Sequence, residues 1–209
     1  MMISPEMYYD EIKDKSVAEI EKEIRALKRS ITKLKDEIER PDGRPDSICP
    51  SQATVIYWSR EYLSMAKKAL AEAGGEYKDA KEEERAKAFL ERLPSLHRIE
   101  LEIGGFFQGW EKYVIEVDGD AVNGAAEFKT KAELLEALRD MHLEEWRTEY
   151  SPERYGMYIL DGTQWSLKLE YKDRKRREHH GDNVYPWNFE ELCALFGLEW
   201  NRYYENEDE

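Results

Sequence analysis

The sequence predicts an α+β protein, with an N-terminal helical hairpin or coiled coil followed by a mixed or antiparallel sheet with two helices. Three observations predict it. A heptad seam fills residues 17–38. The hydrophobic period changes from helical to two near residue 98. The strand-turn-strand-helix pattern that follows then recurs with a shift of 54 residues, as in a duplicated β-β-β-α unit. The expected division is a helical region at 1–93 and an acidic α+β domain at 94–209.

The seam is the most specific of these signals. Val17, Ile20, Ile24, Leu27, Ile31, Leu34 and Ile38 alternate in steps of three and four, with charged residues between them. That is the narrow a/d stripe of a coiled coil rather than a broad core face. Ser16-Val17-Ala18-Glu19 reads as a capping box that starts the helix, and Pro41-Asp42-Gly43 stops it. Pro41, Pro45 and Pro50 stiffen the loop that follows. A second helix runs from a Ser51 cap to Gly74-Gly75. It carries one stripe of Ile56, Leu63, Ala66 and Leu70, and a second of Val55, Trp58, Tyr62, Met65 and Ala69. Two arrangements satisfy the seam: an internal hairpin with this second helix, or a homodimer. A third, charged helix is expected over 77–92.

Beyond it, Ile99, Leu101 and Ile103 alternate with polar residues, as do Tyr113, Ile115 and Val117, which Asp118-Gly119 closes as a hairpin turn. A short strand is expected within 121–128. Thr130-Lys131-Ala132-Glu133 opens a helix bearing Leu134, Leu135, Leu138, Met141 and Trp146. The recurrence places strands at Tyr155, Met157 and Ile159 and at Trp165, Leu167, Leu169 and Tyr171. It ends in a short helix at 188–196, with Gly197 closing it. The tail from Tyr203 is expected to fray.

Charge bounds the function. The net charge of -14 is uneven: residues 1–75 carry 13 basic and 14 acidic groups, and residues 76–209 carry 19 basic and 32 acidic ones. Such a field repels nucleic acid and attracts basic protein surfaces, although plain solubility produces it too. No apolar run approaches a membrane span, and the N-terminus lacks the basic-then-apolar order of a signal peptide. Cys49 and Cys193 read as reduced cytoplasmic thiols, with a single long-range disulfide as the alternative.

Residues that could carry chemistry are few. His97, His142, His179 and His180 offer no paired-ligand spacing, and His142-Leu143-Glu144-Glu145-Trp146 lacks a second histidine, so no metal is expected. No nucleophile elbow or glycine-rich phosphate loop occurs, and no cofactor or catalytic residue is expected, although carboxylate chemistry stays open among so many acids. Lys172, Arg174, Lys175, Arg176 and Arg177 form the one basic run in an acidic region. They read either as a contact for phosphate or an acidic partner, or as charges that guard a sheet edge. Aromatic residues cluster at Phe106, Phe107 and Trp110 and at Tyr155, Tyr158 and Trp165. At strand spacing in an acidic domain they suit a core or a protein interface better than base stacking.

The C-terminal segments Asp161-Gly162-Thr163-Gln164-Trp165-Ser166-Leu167 and Gly181-Asp182-Asn183-Val184-Tyr185-Pro186, with Phe189 and Leu192, resemble a small module of phage and mobile-element proteins of gut Firmicutes. The resemblance covers residues 155–198. It implies a mobile-element context and brings no catalytic residues; the residues themselves read as structural, with Trp165 filling a sheet face and Gly181 and Asn183 making a tight turn. Small acidic proteins of that setting often antagonise host defence, anti-CRISPR proteins among them. The expected function is therefore non-catalytic binding to a host protein, such as a CRISPR nuclease whose basic, nucleic-acid-binding surface the acidic domain would occupy. Direct nucleic-acid binding through residues 172–177 is the alternative from another class.

Overall fold

The computed structural model describes residues 3–42, 49–105 and 109–200. The chain forms two compact units, residues 1–79 and 80–209, each with its own hydrophobic core.

The first unit holds three helices, α1 (Pro5–Ile12), α2 (Val17–Glu39) and α3 (Gln52–Glu72). Helix α1 lies ahead of the seam and was not expected. Ser4 caps it by accepting from the Met7 N–H at 3.3 Å, and Pro5 takes the first helical position, where no N–H is needed. At α2 the capping box is complete: the Glu19 carboxylate accepts from the Ser16 N–H at 2.9 Å, and Ser16 Oγ accepts from the Glu19 N–H at 3.4 Å. Within the seam, Ile20, Ile24 and Ile31 are buried, and Val17, Leu27, Leu34 and Ile38 are half-buried. Ile20 and Ile24 share a core with Ile12 of α1 and with Ala66, Ala69 and Leu70 of α3. The small Ala66 and Ala69 side chains allow α2 and α3 a close approach. The Pro45 region of the loop lies outside the described residues.

The second unit starts with α4 (Lys81–Arg92), whose Phe89, followed by Leu93, enters the sheet core. This helix therefore belongs with the sheet, whereas the expected division at 93/94 assigned it to the helical region. The sheet has six strands in the order β3-β2-β1-β5-β6-β4: β1 (Leu96–Gly105), β2 (Gly109–Asp118), β3 (Ala121–Asn123), β4 (Glu149–Tyr150), β5 (Gln164–Tyr171) and β6 (Arg176–Asp182). All neighbours are antiparallel except β4 and β6, so the sheet is mixed.

Register explains the sheet's two faces. Ile99 sits between Ile115 and Leu169, and Ile103 sits opposite Trp165, so the apolar residues stack on one face. That face shares its core with Leu134, Leu135 and Leu138 of α5 (Lys131–Asp140) and with Phe189, Leu192 and Leu195 of α6 (Phe189–Leu195). The other face is a charge ladder. Glu100, only 8% exposed, meets Lys112 at 2.7 Å, Arg98 at 3.2 Å and Lys168 at 3.3 Å. Burial alone would raise its carboxyl pKa, but bonds from Lys112, Arg98 and Lys168 outweigh that and bring it down to about 2.

Three expectations change. Residues 155–159 form no strand: Pro152 opens a 3-10 turn, Pro152–Tyr155, and Gly156 at φ +70 closes it. The alternation there is only Met157 and Ile159 half-buried beside exposed Tyr158. The recurrence thus holds for two strands and a helix but lacks its first strand. Gly181 is not in a turn either. It lies in β6, where a Cβ would sit 2.2 Å from Trp165 Nε1, so its role is close approach. Trp165 fills the sheet face as expected, 1% exposed, and donates to the Val184 carbonyl at 2.9 Å. Asn183 Oδ1 accepts from the Thr163 N–H at 3.0 Å, which joins the two segments of the C-terminal module.

Candidate partner-binding groove

A groove of about 500 Å³ opens between α5, α6 and the loop before α5. Its construction begins at Thr130, whose hydroxyl accepts from the Glu133 N–H while the Glu133 carboxylate accepts from the Thr130 and Lys129 N–H groups. The cap sets the helix phase. Leu134, Leu135 and Leu138 then point into the core, and Glu133, Glu136 and Asp140, at i, i+3 and i+7, share the opposite side with Ala137. Helix α6 contributes Glu191, Ala194 and Leu195. The Ala126 N–H donates to the Leu195 carbonyl at 2.9 Å and holds the 124–130 loop, with Glu127 and Phe128, against that helix.

The lining has two chemistries. Phe128, Ala137, Met141, Ala194 and Leu195 are apolar, and Glu127, Glu133, Glu136, Asp140 and Glu191 are carboxylates, with no Lys or Arg among them. Main-chain N–H groups at Thr130 and Lys129 hold the Glu133 carboxyl below its ordinary pKa, so it stays charged. The other placements are poor for the helix itself. Glu136 and Asp140 are like charges at i, i+4, and Asp140 stands at the negative end of the α5 dipole. An apolar cleft rimmed by acids, with no Lys or Arg in its lining, suits a basic side chain with an aliphatic stem, as on an Arg- or Lys-rich protein surface.

The structure separates the basic run. Lys172, Arg174 and Lys175 are exposed at the β5–β6 turn. Arg176 is on the ladder face, paired with Glu170 at 2.9 Å. Arg177 is turned into the interior: it donates to the Glu144 carbonyl and to His179 Nε2, each at 3.1 Å, and stacks its guanidinium 4.4 Å from the Phe89 ring centre. Strand alternation sends neighbours to opposite faces, so five consecutive-looking cations cannot form one patch. Asp173 also lies within the turn, 3.7 Å from Arg92.

Of the aromatic residues, Trp110 is 58% exposed and Tyr158 is 86% exposed, whereas Trp165 is core; Phe106 and Phe107 lie outside the described residues. Cys49 and Cys193 are both free thiols, and burial pushes the Cys193 thiol up to about 12. Among the described residues one group, His142, Glu144 and Glu145, brings three metal-ligating side chains together. No helix among the described residues is long and apolar enough to cross a membrane. The groove acids were not singled out in the sequence. The signal that could have found them is acids at i, i+3 and i+7 of α5 with no cation at i+4 to any of them.

Comparison of the chain with protein-family models, curated proteins and solved structures returns no match. The fold and the groove define an acidic α+β protein.

Proposed function

We propose that this is a cytoplasmic, non-catalytic binding protein whose acidic groove takes the basic surface of a partner protein. The observation that carries the reading is the groove's lining of five carboxylates and no cation around an apolar floor. The excess of acids in residues 76–209 favours the same class of partner and speeds encounter with it. Together with the resemblance of residues 155–198 to phage and mobile-element proteins, it supports an inhibitor of the anti-CRISPR kind, seated where a host nuclease holds nucleic acid. The exposed cations Lys172, Arg174 and Lys175 favour a second reading, an accessory protein that binds nucleic acid itself.

The test measures cleavage by purified guide-loaded CRISPR nucleases with and without the full chain, alongside direct DNA and RNA binding. The first reading expects inhibition that weakens with salt. In the double variant Glu136→Lys, Asp140→Lys it should fall at least about tenfold, since reversed charges meet a basic partner. Nucleic-acid binding abolished by Lys172→Glu and Arg174→Glu, without inhibition of any nuclease, would replace the first reading with the second.

A further inference from the structure

We propose that His142, Glu144 and Glu145 form a binding site for a divalent transition-metal cation. The backbone creates the convergence. Helix α5 ends at Asp140 with Met141 as its C-cap, and His142 then adopts φ 52, ψ 43, a left-handed conformation uncommon for a residue other than glycine, asparagine or aspartate. The chain turns there into the 3-10 segment Leu143–Glu145. Leu143 is fully buried and anchors the turn from below. The ligand atoms of the three side chains all lie within 4.8 Å of one another. A cation with bonds of roughly 2.1 Å can join such atoms after small side-chain movements.

Glu144 supplies the independent observation. Its side chain is only 8% exposed, and its Oε1 lies 3.1 Å from His142 Nδ1. Its other oxygen, Oε2, is buried and has no hydrogen-bond partner. A buried carboxylate oxygen without a donor costs free energy and calls for a compensating group. Arg177 donates to the Glu144 main-chain carbonyl at 3.1 Å rather than to Oε2. A metal ion bound by Oε2 would remove that cost. One imidazole nitrogen with two carboxylate oxygens is a mixed N/O set. It suits Zn²⁺, Fe²⁺ or Mn²⁺ better than Mg²⁺ or Ca²⁺, which favour oxygen alone. Water would complete the coordination. Trp146 stands where the common zinc-protease spacing would place a second histidine after His142, which argues against that motif but not against this set.

The site stands apart from the groove reading, and either can fail alone. The experiment is calorimetric titration of the metal-stripped full chain with Zn²⁺, in a Cys49→Ser background because Cys49 is an exposed thiol. Excess Mg²⁺ is present, and Co²⁺ absorption spectra are recorded in parallel. One equivalent should bind with Kd of about 10 µM or tighter. Glu144→Gln and His142→Gly should each weaken binding at least about tenfold, glycine being suited to the left-handed backbone so that the fold persists. His97→Ala should leave it unchanged. Binding weaker than about 1 mM, or binding indifferent to both substitutions, would overturn the site. Glu144 would then serve as a buried counter-charge to Arg177.

Discussion

His179 is the residue most constrained by its surroundings. It is 1% exposed, its Nδ1 lies 2.6 Å from the Arg147 carbonyl, and its Nε2 receives the Arg177 Nε–H. Only the neutral tautomer with the proton on Nδ1 satisfies both contacts, since a second proton would face a donor. Burial accordingly lowers its pKa to about 4, the Arg147 carbonyl opposes that shift, and Arg177 adds to it. The unfolded chain takes up a proton near pH 6.5 that the folded chain refuses until about 4. Stability present above 6.5 is therefore lost as the pH falls between those values, by about 3 kcal/mol from this group. Urea unfolding at pH 7 and pH 4 should show the loss, and His179→Gln should remove most of it. Glu100 extends the acid sensitivity below pH 4.5 in the same direction, since its folded pKa of about 2 is depressed. Arg174 carries the opposite kind of constraint. At φ 63 it occupies the left-handed position of the β5–β6 turn, where glycine is the easier occupant. Arg174→Gly should raise stability by about 1 kcal/mol in thermal melts, and under the groove reading it leaves partner inhibition intact.

Among the elements, α2 was the most legible, because a capping box, a three-four repeat and a proline stop all agree on it. The β2–β3 hairpin was legible for the same reason, with Gly119 at φ +62 supplying the turn that Asp118-Gly119 announced. Helix α1 escaped notice, since eight residues give too few turns for a period to emerge. Residues 155–159 misled because alternation alone does not make a strand without a neighbour to pair with, and Tyr158 stays exposed. The groove was hidden for another reason. Its acids come from α5, α6 and a loop, and only tertiary packing brings them together. Tertiary packing also decides what the seam does. With Ile24 2% exposed in a core shared with Ala66, Ala69 and Leu70, Ile24→Lys places a charge among apolar atoms. It should cost at least about 3 kcal/mol, read as lost helical circular dichroism at low urea, whereas a change at exposed Arg25 should be nearly neutral.

At the scale of the whole molecule, the two units differ in what holds them. The first depends on aliphatic seams between helices, and the second on a sheet core rich in aromatic rings. Its rings form a connected chain: Trp146 meets Trp165 at 6.3 Å, Trp165 meets Phe189 at 4.9 Å, and Phe189 meets Trp200 at 5.2 Å. Of the six tryptophans only Trp58 lies in the first unit. Intrinsic emission is therefore a selective optical probe of residues 80–209. Trp146 also stands edge-on to His179, with ring centres 5.9 Å apart. A protonated imidazole at that range accepts an electron from an excited indole and quenches it. Emission should dim as the pH drops through about 4, and the dimming should vanish in His179→Gln, recorded in steady-state fluorescence below the unfolding transition. Ring contact thus gives the protein a built-in pH-sensitive chromophore, with no label attached.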